Sequence, residues 1–103
     1  MEPSIQSRIN ASPEQLIRFC RQHHIHRMSL FGSVLRRDFG SESDVDILVE
    51  FDPQHIPGLE FVRMREELSQ LLGRPVDLRT PASLSPHFRA EVLRKAELVY
   101  AAA

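Results

Sequence analysis

Apolar and polar residues along the chain alternate between the period of a helix and the period of a strand, which predicts the order of its elements. Ser12 is a favoured N-cap residue. Pro13 follows at the first helical position, and the side chain of Gln15 can reach back to complete a reciprocal cap. Apolar residues then recur at helical spacing to about residue 24, and together they form one stripe: Leu16, Phe19, Cys20 and His23. The pattern predicts a first helix that packs through this stripe.

Further helices are predicted in the rest of the chain. The longest spans residues 59–72 and ends at Gly73, a residue type that favours helix C-caps. Its buried side is predicted to be Leu59, Val62, Leu68, Leu71 and Leu72. The last helix begins at Ser85-Pro86, and its inward-facing residues are predicted to be Phe88, Val92 and Leu93. Residues 33–37 predict the first turns of a short helix, which a loop at residues 40–43 interrupts.

The strands are short and lie between the helices. Residues 45–51 are the clearest strand because they are rich in β-branched and aromatic residues. Shorter strands are predicted at 28–31 and 76–79, and a final edge strand at 97–100. This alternation predicts an α/β (α+β) fold, with a small mixed β-sheet and helices packed mainly on one face. We expect residues 1–103 to form a single domain.

Composition narrows the classes of function. Of the 103 residues, 42% are apolar and 26% are charged, which is typical of a globular domain. The formal net charge of −1, from 13 basic and 14 acidic residues, predicts no direct nucleic-acid binding. Cys20 is the one cysteine, and the chain shows neither a secretory signal nor an apolar run long enough to cross a bilayer. We therefore expect a cytoplasmic protein with no membrane association.

A turn of small residues and an acidic pair lie a fixed distance apart. Gly32-Ser33 follows a predicted strand, and after the ten residues 34–43, Asp44-Val45-Asp46 opens the next one. Glycine lets the backbone approach a phosphate closely, and the start of a helix favours an anion. Carboxylates hold magnesium beside phosphate oxygens. The combination predicts a site for a nucleoside triphosphate, although each feature alone is more often a plain turn or an exposed residue.

Strand alternation adds a third carboxylate to this site. Asp44 and Asp46 share one face of their strand, opposite its apolar side, and Asp77 lies on the polar side of the strand at 76–79. If these two strands are close neighbours, the three carboxylates emerge together and could hold two divalent ions. Arg36 and Arg37 would add positive charge beside the triphosphate or would be solvated surface residues. The five histidines have no spacing that favours a zinc site.

The residues of this site resemble the signature of the polymerase-beta-type nucleotidyltransferase superfamily. The resemblance rests on Leu30-Phe31-Gly32-Ser33, the ten-residue gap, and residues 43–49; the short chain and the run Pro75-Val76-Asp77-Leu78 resemble its minimal nucleotidyltransferase (MNT) branch. It covers residues 27–100. It implies that Gly32 and Ser33 bind the nucleotide phosphates. It also implies that Asp44, Asp46 and Asp77 hold two Mg²⁺ ions, and that Asp77 helps to activate the acceptor.

Within the MNT branch, the resemblance implies an antitoxin that works with a HEPN-domain ribonuclease toxin. Such an antitoxin binds the toxin in a hetero-oligomer and transfers AMP from ATP to a tyrosine hydroxyl of it. Two alternatives stay open: an antitoxin that neutralises by binding alone, and a nucleotidyltransferase that acts on RNA or a small molecule. The brevity of the chain favours a protein acceptor, because transfer needs a positioned acceptor and a folded partner can position its own.

Overall fold

Helices and strands alternate through the residues that the structure, a computed structural model, describes, which are 3–40 and 42–102. The elements run in the order α1 (Pro3–Gln6), α2 (Pro13–Gln22), β1 (Ile25–Phe31), β2 (Val45–Phe51), α3 (Glu60–Leu72), β3 (Val76–Arg79), α4 (Pro86–Lys95) and β4 (Glu97–Ala101). Single 3-10 turns follow β1 at Gly32–Leu35 and β3 at Pro81–Ser83.

The four described strands form one mixed sheet in the order β3-β2-β1-β4. Strand β1 pairs antiparallel with both β2 and β4, whereas β2 and β3 are parallel. Parallel neighbours need a crossover connection, and α3 supplies it between β2 and β3. The structure confirms the predicted fold class and the edge position of β4. Strand β1 begins earlier than predicted, because Ile25 is buried and pairs with Phe51.

The core lies on one face of the sheet, beneath α2 and α3. The cap predicted at Ser12 is confirmed: the Gln15 backbone N–H donates to Ser12 Oγ at 3.2 Å, and the Ser12 N–H donates to Gln15 Oε1 at 2.8 Å. The helices and central strands supply the principal buried side chains: Leu16, Phe19, Cys20, Met28, Leu30, Val45, Ile47, Val49, Met64, Leu68 and Leu72. This arrangement confirms that helices pack mainly on one face. No helix in the described ranges is long and apolar enough to cross a bilayer.

The buried side of α3 differs from the predicted one. Leu59 is 93% exposed and Val62 is 49% exposed, whereas Met64 is buried. The helix begins at Glu60 and buries Met64 together with Leu68 and Leu72, at steps of four residues. Val62 lies two residues from Met64, about 200° around the helix, and therefore points to solvent. Several apolar side chains compete for one stripe, and sequence spacing alone does not select among them.

The inward face predicted for α4 is also wrong in part. Phe88 is 60% exposed and Leu93 is 46% exposed, and none of the residues of α4 is buried. The short helix predicted at 33–37 is one 3-10 turn instead. It ends because Arg36 has an extended backbone, with φ −103° and ψ 159°. The differences in α4 and in residues 33–37 concern segments beside the candidate catalytic residues rather than the core.

Cys20 gives a prediction about stability at high pH. Burial raises the pKa of its thiol from 9.0 to about 12. Between these values the unfolded chain loses the thiol proton and the folded chain keeps it, so the free energy of unfolding falls as the pH rises. From pH 8 to pH 10 we expect wild type to lose about 1 kcal/mol more than Cys20→Ala loses. Urea unfolding of both proteins at both pH values measures the difference, and equal losses would contradict the prediction.

Candidate active site

The turn after β1 is in direct contact with the first residues of β2. Gly32 has a φ of +73°, a backbone conformation that favours glycine. A Cβ at this position would overlap Asp46 Oδ2. The Ser33 backbone N–H donates a hydrogen bond to the Asp46 carboxylate, and Ser33 Oγ donates to the Asp44 carbonyl at 3.3 Å. The structure therefore brings together Gly32, Ser33, Asp44 and Asp46.

Asp77 lies beside this group on the neighbouring strand. In the parallel pairing of β2 and β3, Asp46 is opposite Asp77. Residues that are opposite each other in a sheet present their side chains on the same face. Strands β2 and β3 are therefore neighbours, as a shared site requires. The side chains of Asp46 and Asp77 lie on the same face of the sheet, which points away from the core.

The electrostatics of this face are dominated by carboxylates. Burial raises the pKa of the Asp46 carboxyl above its ordinary value, and the negative charges of Asp77 and Asp44 raise it further. The Ser33 N–H and the charge of Arg79 act in the opposite direction. Carboxylate oxygens are the ligands that Mg²⁺ and other hard cations prefer. A divalent cation at this position would relieve the repulsion among the carboxylates, so the donor set suits such an ion.

Asp77 is held by an arginine in this structure. Arg79 Nε donates to Asp77 Oδ1 at 3.0 Å, and Arg79 Nη2 donates to Asp77 Oδ2 at 3.4 Å. Within residues 3–40 and 42–102, no three His, Cys, Asp or Glu side chains are arranged to hold one metal ion. An ion that contacts all three carboxylates would therefore require Asp77 to turn away from Arg79.

Within the described residues, Arg36 and Arg37 form no hydrogen bond or ion pair with the aspartates of this site. Arg36 and Arg37 are exposed, and Arg36 Nε donates to Asp38 Oδ1 at 3.1 Å. His24 stacks on His55 with ring centroids 3.9 Å apart, beside the end of β2 that is opposite the carboxylates. The exposure of Arg37 favours its interpretation as a solvated surface residue, whereas Arg36 is exposed but also lines a cavity together with Gly32.

Two arginines and one phenylalanine hold the segment that joins the turn to the acidic pair. Arg74 Nη1 donates to the carbonyls of Gly40 at 2.7 Å and Ser43 at 3.2 Å, and its guanidinium lies 4.4 Å from the Phe39 ring centroid. Arg8 lies 6.0 Å from the same ring centroid. Its Nη1 donates to the carbonyls of Val34 at 2.7 Å and Arg36 at 2.5 Å. We call Arg8, Phe39 and Arg74 the arginine clamp.

The clamp is the part of the site that sequence reasoning missed. Arg8 and Arg74 bind carbonyls that are 26 to 34 residues away in the chain, so no local pattern shows the contacts. The available signal was indirect. Beyond the short helix predicted at residues 33–37, the connection to Asp44 needs partners for its backbone carbonyls, and arginine is the side chain with the most hydrogen-bond donors.

Removing the guanidinium of Arg74 should loosen the segment before Asp44. Arg74→Ala loses two charge-assisted hydrogen bonds and the contact with Phe39, so we expect a cost of about 1–3 kcal/mol in unfolding free energy. Amide hydrogen exchange should become faster at residues 40 and 42–44. Arg63→Ala, which alters an exposed arginine on α3, is the matched control. Unchanged exchange in Arg74→Ala would show that the clamp does not hold the segment.

Gly32→Ala should destabilise the protein far more than Gly58→Ala. An alanine Cβ at position 32 meets the Asp46 carboxylate and also requires a positive φ, whereas a Cβ at Gly58 meets no atom within 4 Å. We expect a cost of about 1–3 kcal/mol for Gly32→Ala, measured by urea unfolding. In an Asp46→Ala background the cost should shrink, because only the backbone strain is left. An equal cost in both backgrounds would mean that the close approach is unimportant.

Comparisons with known proteins place the chain in a family. The family profile described as "Polymerase beta, Nucleotidyltransferase" matches residues 14–103. The chain is 42% identical over 77 residues to the protein adenylyltransferase MntA of Thermococcus cleftensis, and the alignment covers 74% of each protein. It is 36% identical over 88 residues to a candidate protein adenylyltransferase of Methanocaldococcus jannaschii, which covers 85% of this chain and 94% of that relative.

Solved structures share the fold. A candidate minimal nucleotidyltransferase superposes with a TM-score of 0.69 at 36% identity, over 82% of this chain and 85% of that one. A chain of a toxin–antitoxin complex with AMP-PNP superposes with a TM-score of 0.72 at 20% identity, over 88% of this chain and 74% of that one. A chain of a complex between a tri-AMPylated Shewanella oneidensis HEPN toxin and an MNT antitoxin gives a TM-score of 0.62 at 21% identity, with 87% and 70% covered. The profile match over most of its length, together with the two relatives, shows that this chain belongs to the polymerase beta nucleotidyltransferase family.

Proposed function

We propose that this protein is the antitoxin of a toxin–antitoxin pair and a protein adenylyltransferase. It moves AMP from ATP to a tyrosine hydroxyl of a cognate HEPN ribonuclease toxin and thereby neutralises it. The observation that carries the proposal is the contact of the Gly32-Ser33 turn with Asp44 and Asp46, beside Asp77 in register. The names of the similar adenylyltransferases and of the HEPN–MNT complex support the choice of acceptor.

The nucleotide would lie along the turn and the acidic pair. Gly32 leaves room for a phosphate to approach the backbone, and Ser33 offers a hydroxyl that now donates to the Asp44 carbonyl at 3.3 Å. The carboxylates of Asp44, Asp46 and Asp77 would together bind two Mg²⁺ ions. When bound, Mg²⁺ would supply positive charge to the triphosphate and lower the pKa of the attacking hydroxyl. Burial and the negative charges of Asp77 and Asp44 raise the pKa of Asp46, and the repulsion among these carboxylates supports cation binding here.

The transfer exchanges one phosphorus–oxygen bond for another. The tyrosine oxygen bonds to the α-phosphorus of ATP, the bond from that phosphorus to the bridging oxygen breaks, and diphosphate leaves. Asp77 takes the hydroxyl proton, for which its carboxylate must first leave Arg79. The acceptor must be held in line with the α-phosphate, and a folded toxin can hold its own tyrosine there.

We propose that residues 1–103 act as one minimal domain in the cytoplasm.

The test is the intact mass of a HEPN toxin encoded beside this chain, if one is present there, after incubation with this protein, ATP and Mg²⁺. We expect a mass increase of whole AMP groups on a tyrosine. Asp44→Asn with Asp46→Asn should reduce labelling by more than about 100-fold, because it removes several kcal/mol of charge stabilisation. Asp38→Asn, an exposed acidic residue outside the site, should label normally. Labelling that persists in the double variant would remove these aspartates from the mechanism.

A second candidate is an antitoxin that neutralises by binding alone. The contact of Arg79 with Asp77 favours it, because an arginine already neutralises the third carboxylate. It predicts that cells producing the toxin grow normally with the Asp44→Asn, Asp46→Asn variant. Loss of protection in that variant, with the complex still formed, would decide for catalysis.

A further inference from the structure

A cavity of about 530 Å³ lies between the 3-10 turn after β1 and helix α4. Its size is in the range of small-molecule sites. Its apolar walls are Phe31 and Leu35 on one side and Phe88 and Val92 on the other, and the charged residues Arg36, Glu91 and Lys95 also line it. The proposed mechanism uses none of these seven residues.

The cavity is continuous with the phosphate turn. Gly32 belongs to both, since it lines the cavity and also contacts Asp46. Phe31 is opposite Asp46 in the β1–β2 pairing, so its side chain lies on the same face as the carboxylates. A nucleotide with its phosphates at Gly32 and Ser33 can therefore reach the cavity without crossing the sheet.

We propose that this cavity is the nucleoside subsite, in which a purine ring stacks on Phe88 between the turn and α4. The inference rests on the proposed function, because it extends the same nucleotide along the protein. Two phenylalanines and two aliphatic side chains provide an apolar slot for a flat ring. Stacking of a base on an aromatic side chain contributes about tenfold to hundredfold in affinity.

The exposure of Phe88 is the observation that points to a ligand. The apolar pattern of α4 predicted that Phe88 faces inward, yet Phe88 is 60% exposed and lines the cavity. A large aromatic side chain gains free energy when a ligand removes that surface from water. Departures from the sequence pattern occur most often at functional sites.

Two charged residues of the cavity lining, Glu91 and Lys95, suit the edge of a purine. Lys95 Nζ donates to Glu91 Oε1 at 2.8 Å. A carboxylate can accept from an exocyclic amino group, and an ammonium can donate to a ring nitrogen. The acceptor tyrosine does not fit the cavity as well. It must approach opposite the leaving diphosphate, whereas the cavity adjoins the turn that holds the phosphates.

The test compares two ligands that share phosphates but differ in the nucleoside. Binding of AMP-PNP and of inorganic tripolyphosphate, each with Mg²⁺, is measured by calorimetry on the intact chain. Phe88→Ala should weaken AMP-PNP about tenfold to hundredfold and leave tripolyphosphate unchanged. Phe88→Tyr, which keeps a ring, should bind as wild type does, and Phe88→Leu should be intermediate. Leu93→Ala, an exposed apolar residue of α4 outside the cavity lining, is the matched control.

The possible results separate this inference from the proposed function. If wild type binds AMP-PNP but Phe88→Ala and Phe88→Leu bind it equally well, the nucleoside subsite is overturned and the proposed function stands. If Phe88→Ala changes only the KM for the partner protein, the cavity belongs to the acceptor and the inference is again overturned. If wild type binds neither ligand, both the inference and the proposed function fail.

Discussion

The close approach of the Asp46 carboxylate to the backbone at Gly32 is the contact on which the site depends. It joins the end of β1 to the beginning of β2, and it is possible because Gly32 has no Cβ and a φ of +73°. The Ser33 N–H completes the contact by donating to the same carboxylate. A turn that would otherwise only reverse the chain is thereby held against the acidic pair, and phosphate-binding and cation-binding groups become parts of one surface.

The same contact concentrates negative charge. Asp46 is opposite Asp77 across the parallel pairing of β2 and β3, and burial together with the repulsion from Asp77 raises the pKa of Asp46. Ionised Asp46 therefore costs folding free energy at neutral pH, and the cost disappears below its ordinary pKa, where the folded and unfolded states are both protonated. A bound cation would recover that free energy and stabilise the folded state through linkage. Arg79, which pairs with Asp77, also supplies part of this compensation.

Much of the fold followed from local rules. The capping box at Ser12, the strand at 45–51 and the αL cap at Gly73 were predictable because each depends on residues that are adjacent in the chain. The facing of the carboxylates was also predictable, since side chains alternate along any strand. The buried faces of α3 and α4 were predicted poorly. Both helices have more apolar side chains than their packing surfaces accommodate, and the neighbouring elements select which of them are buried.

The sequence by itself determined the signature of the site, which consists of the turn, the spacing and the three aspartates. These features depend on local backbone conformation and on the two-residue period of a strand, and both can be read from residues that are adjacent in the chain. Only the tertiary structure decided that β2 and β3 are neighbours, that Arg79 holds Asp77, and that Arg8 and Arg74 fasten the connecting segment. It also decided that α4 leaves Phe88 exposed beside a cavity. These features either join residues that are distant in the chain or depend on competition for a shared packing surface. Neither kind of feature produces a periodic pattern in the sequence from which it could be predicted.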